Sequence, residues 1–209
     1  MHIERVCVYC ASSQQADPVY RATAYRLGEV LAANGITIIY GGGGLGSMGS
    51  LAEGALANGG CVIGVIPRFM KELEWSHNQL SELQLVENMR ERKHLMLKDS
   101  DAVIALPGGC GTLEELFEAI TLKRLGIYLN PIVLVNVKKF FDPCLELLDH
   151  CIRERFMDVR HSDMWTVVDE PEQVIDAIRS APRWNADAQQ FAVLVGKAVP
   201  ESASPRTSE

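Results

Sequence analysis

Strands and helices alternate along this chain, which predicts an α/β fold: a single-domain, Rossmann-like parallel sheet with helices on both faces, over residues 1–184. Three observations carry that prediction. Apolar runs such as Ala102-Val103-Ile104-Ala105-Leu106 are short and unbroken, as in strands buried on both faces. Segments of helical period separate them. Two glycine-rich turns, 41–46 and 108–111, each stand between a strand and a helix.

The elements follow in order. Ile3 to Tyr9 reads as the first strand, and Cys10-Ala11-Ser12-Ser13 as its turn. Pro18 to Asn34 carries Tyr20, Ala24, Leu27, Val30 and Leu31 at helical spacing, with Gly35 as the stop. Ile36 to Tyr40 is the second strand and Ser47 to Asn58 the next helix, broken by Gly59-Gly60. Cys61 to Ile66 is a third strand, stopped by Pro67. Phe69 to Asn88 is irregular and admits a short strand around Leu83 to Val86. Met89 to Lys98 reads as a helix feeding the central strand at 102–106. Pro107 ends that strand, and Thr112 opens a helix in which Leu113, Leu116, Phe117 and Ile120 share a face. Strand Ile132 to Val137, helix Phe140 to Arg155, strand Trp165 to Val168 and helix Pro171 to Ala181 complete the pattern. Residues 185–209 read as a flexible C-terminal tail, since Ala198 to Glu209 is rich in Pro, Ser and Glu.

Composition narrows the function. A formal net charge of −7 and a pI near 5.3 argue against nucleic acid or an anionic membrane as the main partner. They leave room for a small phosphorylated ligand. No apolar stretch reaches the roughly 18 residues of a membrane span, and the N-terminus lacks the layout of a signal peptide. A cytoplasmic protein is expected, with six reduced cysteines. Cys7 and Cys10 form a lone C-x-x-C in a strand, where residues three apart point to opposite faces. The five histidines show no ligand spacing. No metal and no cofactor is expected.

The chemistry concentrates in the stretch from Asp101 to Glu118. Gly108, Gly109 and Gly111, with Cys110 between them, lead into a helix N-terminus. Such a turn presents backbone N–H groups, and the helix dipole favours an anion before them. A phosphate is the natural guest, and Thr112 adds a hydroxyl. Glu114 and Glu115 in the first helical turn would repel it. Dipole complementarity explains one of them; the functional reading is that one carboxylate faces the substrate.

The upstream Gly41-x-Gly43-x-x-Gly46 fits a dinucleotide fingerprint. The acid that such a site wants at the end of the next strand is missing, because that strand ends Val65-Ile66-Pro67-Arg68. NAD use is therefore a minority reading. A Walker loop is excluded, since no Lys-Ser or Lys-Thr pair follows either turn. Two glycine turns converging with Ala11-Ser12-Ser13 on one sheet edge suggest a pocket where ligand approaches backbone closely. Arg90, Arg92 and Lys93 spread round the helix before the central strand, so one or two at most would face that edge.

Together these segments resemble the Lonely Guy (LOG) family of cytokinin-activating phosphoribohydrolases. Its P-G-G-x-G-T-x-x-E hallmark matches Pro107, Gly108, Gly109, Gly111, Thr112 and Glu115. M-x-x-R-K matches Met89, Arg92 and Lys93, and G-G-G-x-x-G-x-M-G matches Gly41, Gly42, Gly43, Gly46, Met48 and Gly49. The resemblance runs from about Ile3 to Ala181. Departures are Cys10-Ala11-Ser12-Ser13 for the usual Cys-Gly-Ser-Ser, Arg90 for the usual His, and the poorly aligning segment Phe69 to Asn88.

The resemblance implies hydrolysis of the N-glycosidic bond of an N6-modified adenosine 5′-monophosphate, giving free base and ribose 5-phosphate. It assigns Glu115 and Arg92 to catalysis. Gly108, Gly109, Gly111 and Thr112 would hold the phosphate, with Lys93 supporting. Gly43, Gly44, Met89, Cys110, Leu113, Glu114, Thr121 and Glu74 would border the substrate, Glu74 by a loose match. It also implies a homodimer or larger homo-oligomer. A general AMP or GMP nucleosidase and a non-catalytic nucleotide-binding module stay open beside it. The family carries an older lysine-decarboxylase label, for which no residue pattern here speaks.

Overall fold

The computed structural model describes residues 2–73 and 76–193. Seven strands, β1 (Arg5–Tyr9), β2 (Thr37–Tyr40), β3 (Val62–Pro67), β4 (Glu82–Val86), β5 (Ala102–Ala105), β6 (Ile132–Val135) and β7 (Thr166–Val168), form one sheet. Its order is β4-β3-β2-β1-β5-β6-β7, and every pairing is parallel. The chain therefore builds outward from β1 to one edge, then returns and builds outward from β5 to the other. Between β1 and β5 the direction reverses, and the crevice outside their C-terminal ends is where such folds take ligands.

The helices are α1 (Pro18–Ala33), α2 (Gly46–Ala57), α3 (Arg68–Glu72), α4 (Met89–Lys98), α5 (Cys110–Arg124), α6 (Asp142–Arg153) and α7 (Val174–Ser180). Pleat alternation sorts the core into two layers. Val6, Val8 and Cys10 of the first strand and its end pack with Leu27 and Leu31 of α1, Leu51 and Ala55 of α2 and Ile178 of α7. Cys7 and Tyr9 point the other way, to Met96 of α4, Leu116 and Ile120 of α5 and Leu148 of α6. The C-x-x-C thus straddles the sheet, both sulfurs free and buried.

Several boundaries differ from the sequence expectation, each for a local reason. Pro67 belongs to β3 as its last residue, in register with Val86 of the edge strand. Arg68 then starts α3, a turn of helix inside the stretch read as irregular, and its Nε donates to Glu87 at 2.7 Å. Helix α5 begins at Cys110 rather than Thr112, because Gly109 takes the capping position. A short 3-10 turn, Val137–Lys139, precedes α6. There the Asn136 side chain accepts from the Phe141 N–H and donates to Asp142, both at 2.7 Å, and delays the helix.

The first part of the expected tail is packed. Ala186–Gln190 forms a 3-10 turn with Ala188 buried. The Trp184 indole N–H donates to the Lys123 carbonyl at 2.7 Å, and Phe191 stacks near His161 and under Arg160. This strap lies against the C-terminal end of α5. The rest of that tail, 194–209, and Glu74 fall outside the described residues.

Candidate active site

The cavity of about 450 Å³ lies along four adjacent strand ends. Gly109, Gly111, Thr112 and Glu115 come from the turn after β5 and from α5, and Cys10, Ala11, Ser12 and Ser13 follow β1. Gly41, Gly43, Leu45 and Met48 follow β2, Ile66 and Met70 close β3 and sit on α3, and Met89 and Arg92 come from α4. The three turns that the sequence placed on one edge do meet there.

One side of the cavity is formed by the start of helix α5, through Gly109, Gly111 and Thr112. Helix α5 has no side-chain cap. Among the described residues no protein oxygen takes up the N–H groups of Cys110, Gly111 and Thr112. Space around Gly109 and Gly111 is open, with no atom within 4 Å of an added Cβ. Gly108 is the close-packed member: a Cβ there would lie 2.2 Å from the Thr112 hydroxyl, so only hydrogen lets Thr112 tuck beneath the turn.

The centre holds a buried ion pair. Arg92 is 6% exposed and Glu115 5%, with Nη1 to Oε1 at 3.4 Å. The guanidinium is held by the sheet itself. Nε donates to the Val65 carbonyl at the end of β3 and Nη2 to the Gly41 carbonyl just past β2, each at 3.1 Å. Nη1 also touches the Met89 sulfur at 3.9 Å. Only glycine fits at 41, since a Cβ there would sit 1.9 Å from Nη2. Burial pushes the Glu115 carboxyl up to about 7, even though Arg92 pulls it down. Such a group exchanges protons near neutral pH, the range that acid–base chemistry needs.

The glycine turn after β2 is fastened from several sides. The Tyr40 hydroxyl, fully buried, donates to the Gly43 carbonyl at 3.0 Å. The Gly42 carbonyl accepts from the His77 N–H, and the Ala11 carbonyl accepts from the Met48 N–H in the first turn of α2.

Other expected residues lie elsewhere. Lys93 does not line the cavity. It bridges α4 to α5 by pairing with Glu114 and, at 2.9 Å, with Glu118. Glu114 and Thr121 are exposed on the flank of α5, Cys110 is exposed, and Leu113 packs into the core layer behind. Gly44 faces a neighbouring depression with His77 and Glu53. Sequence reasoning missed Leu45, Ile66 and Met70. Their signal was position at strand C-terminal ends, which the irregular segment after β3 obscured.

Fold and site together define a Rossmann-like α/β protein with an acid–guanidinium pair beside an uncapped helix start. Residues 48–178 match a family model described as "Possible lysine decarboxylase". The chain is 41% identical over 154 residues to the cytokinin riboside 5′-monophosphate phosphoribohydrolase LOG1 of Arabidopsis thaliana, covering 74% of this chain and 72% of that protein. It is 43% identical over 153 residues to the phosphoribohydrolase LOG of Oryza sativa, covering 73% of this chain and 63% of that one. A molybdenum cofactor carrier protein from Chlamydomonas reinhardtii shares the fold at a TM-score of 0.66 and 20% identity, covering 86% of this chain and 98% of that one. The chain belongs to the LOG family.

Proposed function

We propose that this protein hydrolyses the N-glycosidic bond of N6-modified adenosine 5′-monophosphates and releases the free base and ribose 5-phosphate. The observation that carries the reading is the Glu115–Arg92 pair, buried at the centre of a cleft whose one end is the open start of α5. The phosphate sits on the Cys110, Gly111 and Thr112 amides. The ribose then lies over Glu115. As the bond between C1′ and the base nitrogen breaks, positive charge gathers on the ribose ring, and the adjacent carboxylate stabilises it. Water adds to C1′, and Glu115 takes its proton and passes it on to the nitrogen of the departing base, so the carboxylate is regenerated. Arg92 keeps Glu115 oriented and ionised.

Lys93 acts on the helix pair, not on the phosphate. The activity belongs to the single α/β unit, works in the cytoplasm and involves a homodimer or larger assembly without nucleic acid. Among the described residues no helix is long and apolar enough to cross a membrane.

The test is incubation with N6-isopentenyladenosine 5′-monophosphate and chromatography of the free base. Wild type is expected to release base and Glu115→Gln to lose roughly a hundredfold or more in kcat. No release by wild type, or full release by the variant, defeats the proposal.

A further inference from the structure

A polar cluster lies at the opposite end of α5 from the cleft, under the strap at 184–193. Val159–Met164 form a 3-10 turn there, after α6, and His161 within it is fully buried. Its Nδ1 accepts from the Asp158 N–H at 3.0 Å, and the Asp158 carboxylate accepts from the N–H groups of the turn, a reciprocal cap. With Nδ1 accepting, the neutral ring carries its proton on Nε2. That nitrogen is buried without a partner among the described residues.

The strap meets this turn through Phe191. Its ring lies 5.5 Å from that of His161 and 3.7 Å from the Arg160 guanidinium stacked on it. Trp184, 6.3 Å from His161, ties the strap to α5 through the Lys123 carbonyl. These surroundings favour a neutral imidazole. Arg124 of α5 and Arg160 act on it, and Arg124 Nε is itself buried without a partner. The one acid that acts on it, Asp158, already receives Arg160 at 2.7 and 2.9 Å. Among the described residues no charged group of α6 or of the strap bears on it. Burial above all, with the two arginines, holds the imidazole below its ordinary value despite Asp158. The faces of Phe191 and Trp184 offer a cation only a weak attraction. A second proton can go only to Nδ1. There it would point at the Asp158 N–H, break the cap and leave an imidazolium enclosed beside two guanidinium groups.

We propose that His161 is a pH-sensitive latch for the strap at 184–193: neutral, it seats Phe191 and holds the strap on the end of α5, and once protonated it lets the strap go. Release uncovers Lys123, a buried side chain whose ammonium donates to the Asn130 carbonyl and lies 6.0 Å from the Trp184 ring. A histidine held low in the fold contributes stability that is present above about 6.5 and is lost as pH falls through the folded value. The neighbours hold their charge across that window. Burial pulls the Lys123 ammonium down to about 8, so it is charged below neutrality, and Asp158, held at about 2 by Arg160, stays ionised. The latch is independent of the substrate assigned to the cleft.

The experiment is hydrogen–deuterium exchange of the full chain read by mass spectrometry, corrected for intrinsic rates, at about pH 7 and about pH 5.5. Wild type is compared with His161→Gln. Glutamine at this position of a cap reaches back to the same N–H and takes up no proton. In wild type the peptide over 184–193 is expected to lose roughly tenfold in protection at the lower pH while β1 and β5 keep theirs. In His161→Gln the strap should be equally protected at both. Equal strap protection at both pH values in wild type, or the same loss in the variant, overturns the proposal. If the variant does not fold, an NMR titration of His161 in wild type decides. Strap exchange that follows a His161 midpoint below about 6.5 supports the latch; a midpoint at or above that value, or exchange that does not track it, overturns it.

Discussion

The two glycine turns look alike in sequence and do opposite things. After β2, the turn is packed shut. Gly46 has φ +60°, and a Cβ on it would lie 2.5 Å from the Ser12 backbone. Met48 in the first turn of α2 gives its N–H to Ala11, and Tyr40 grips Gly43 from below. After β5, the turn is open: Gly109 and Gly111 have free space in front of them and the first amides of α5 point into it. Glycine in the first turn lets protein approach protein. Glycine in the second lets a ligand approach protein. This also disposes of the dinucleotide reading of Gly41-x-Gly43-x-x-Gly46, because the helix start it would offer to a pyrophosphate is already partly occupied by the loop after β1.

The largest effects should separate the two turns. Gly46→Ala adds a methyl where only backbone stands opposite and strains a left-handed conformation, so a loss of about 3 kcal/mol or more is expected in chemical unfolding. Gly111→Ala should leave stability within about 1 kcal/mol, because alanine suits a helix better than glycine. It should instead raise KM for nucleotides roughly tenfold by crowding the phosphate. Equal damage to stability from both variants would erase the distinction.

Acidity gives the next test. With the carboxyl of Glu115 pushed up to about 7 by burial, kcat/KM should climb with pH to a plateau above neutrality if the ionised form acts. Folding stability should run the other way. A carboxyl raised in the folded state favours folding while protonated, so its contribution is present below about 4.5 and is lost as pH rises through about 7. Glu115→Gln should flatten that decline, as read from midpoints of urea unfolding at several pH values.

Smaller effects probe the supports. Tyr40→Phe removes one buried hydrogen bond to the closed turn and should cost about 1 kcal/mol. Because Gly41 in that same turn carries Arg92, kcat should fall several-fold while KM stays near wild type. Lys93→Ala should be the mildest, within about threefold in kcat/KM, since its partners Glu114 and Glu118 are substantially exposed. A large rise in KM there would return Lys93 to the phosphate.

The sheet was legible because its strands are apolar runs bounded by glycine and proline, a pattern that burial on two faces imposes. Helix α4 was read to the residue, and the structure shows Asn88 capping it, its side chain accepting from the Glu91 N–H. The glycine turn and the helix period narrowed the acid to Glu114 or Glu115 and the cation to Arg90, Arg92 or Lys93, and the family resemblance then singled out Glu115 and Arg92. Thr121 and Lys93, which the resemblance put near the substrate, do not line the cavity. The resemblance set Thr121 and Glu114 beside the substrate, and both are exposed on one outward flank of α5. Helix α3 and Met70 were hidden because five residues carry too little periodicity to announce a helix. Residues 185–193 were read as tail because their packing depends on Phe191 meeting His161 and Trp184, the latter bonded to α5, from a distance in sequence.

The tethering of Arg92 has a consequence for how tightly a ligand must bind. Three of its contacts belong to the protein before any substrate arrives: two carbonyls at strand ends and one carboxylate. A long flexible side chain normally surrenders rotamer freedom when a complex forms. Here that entropy is lost during folding, so the arriving molecule need not organise the charge it meets. Lysine could keep the charge but cannot span three acceptors with one nitrogen, which makes the guanidinium's shape as necessary as its sign.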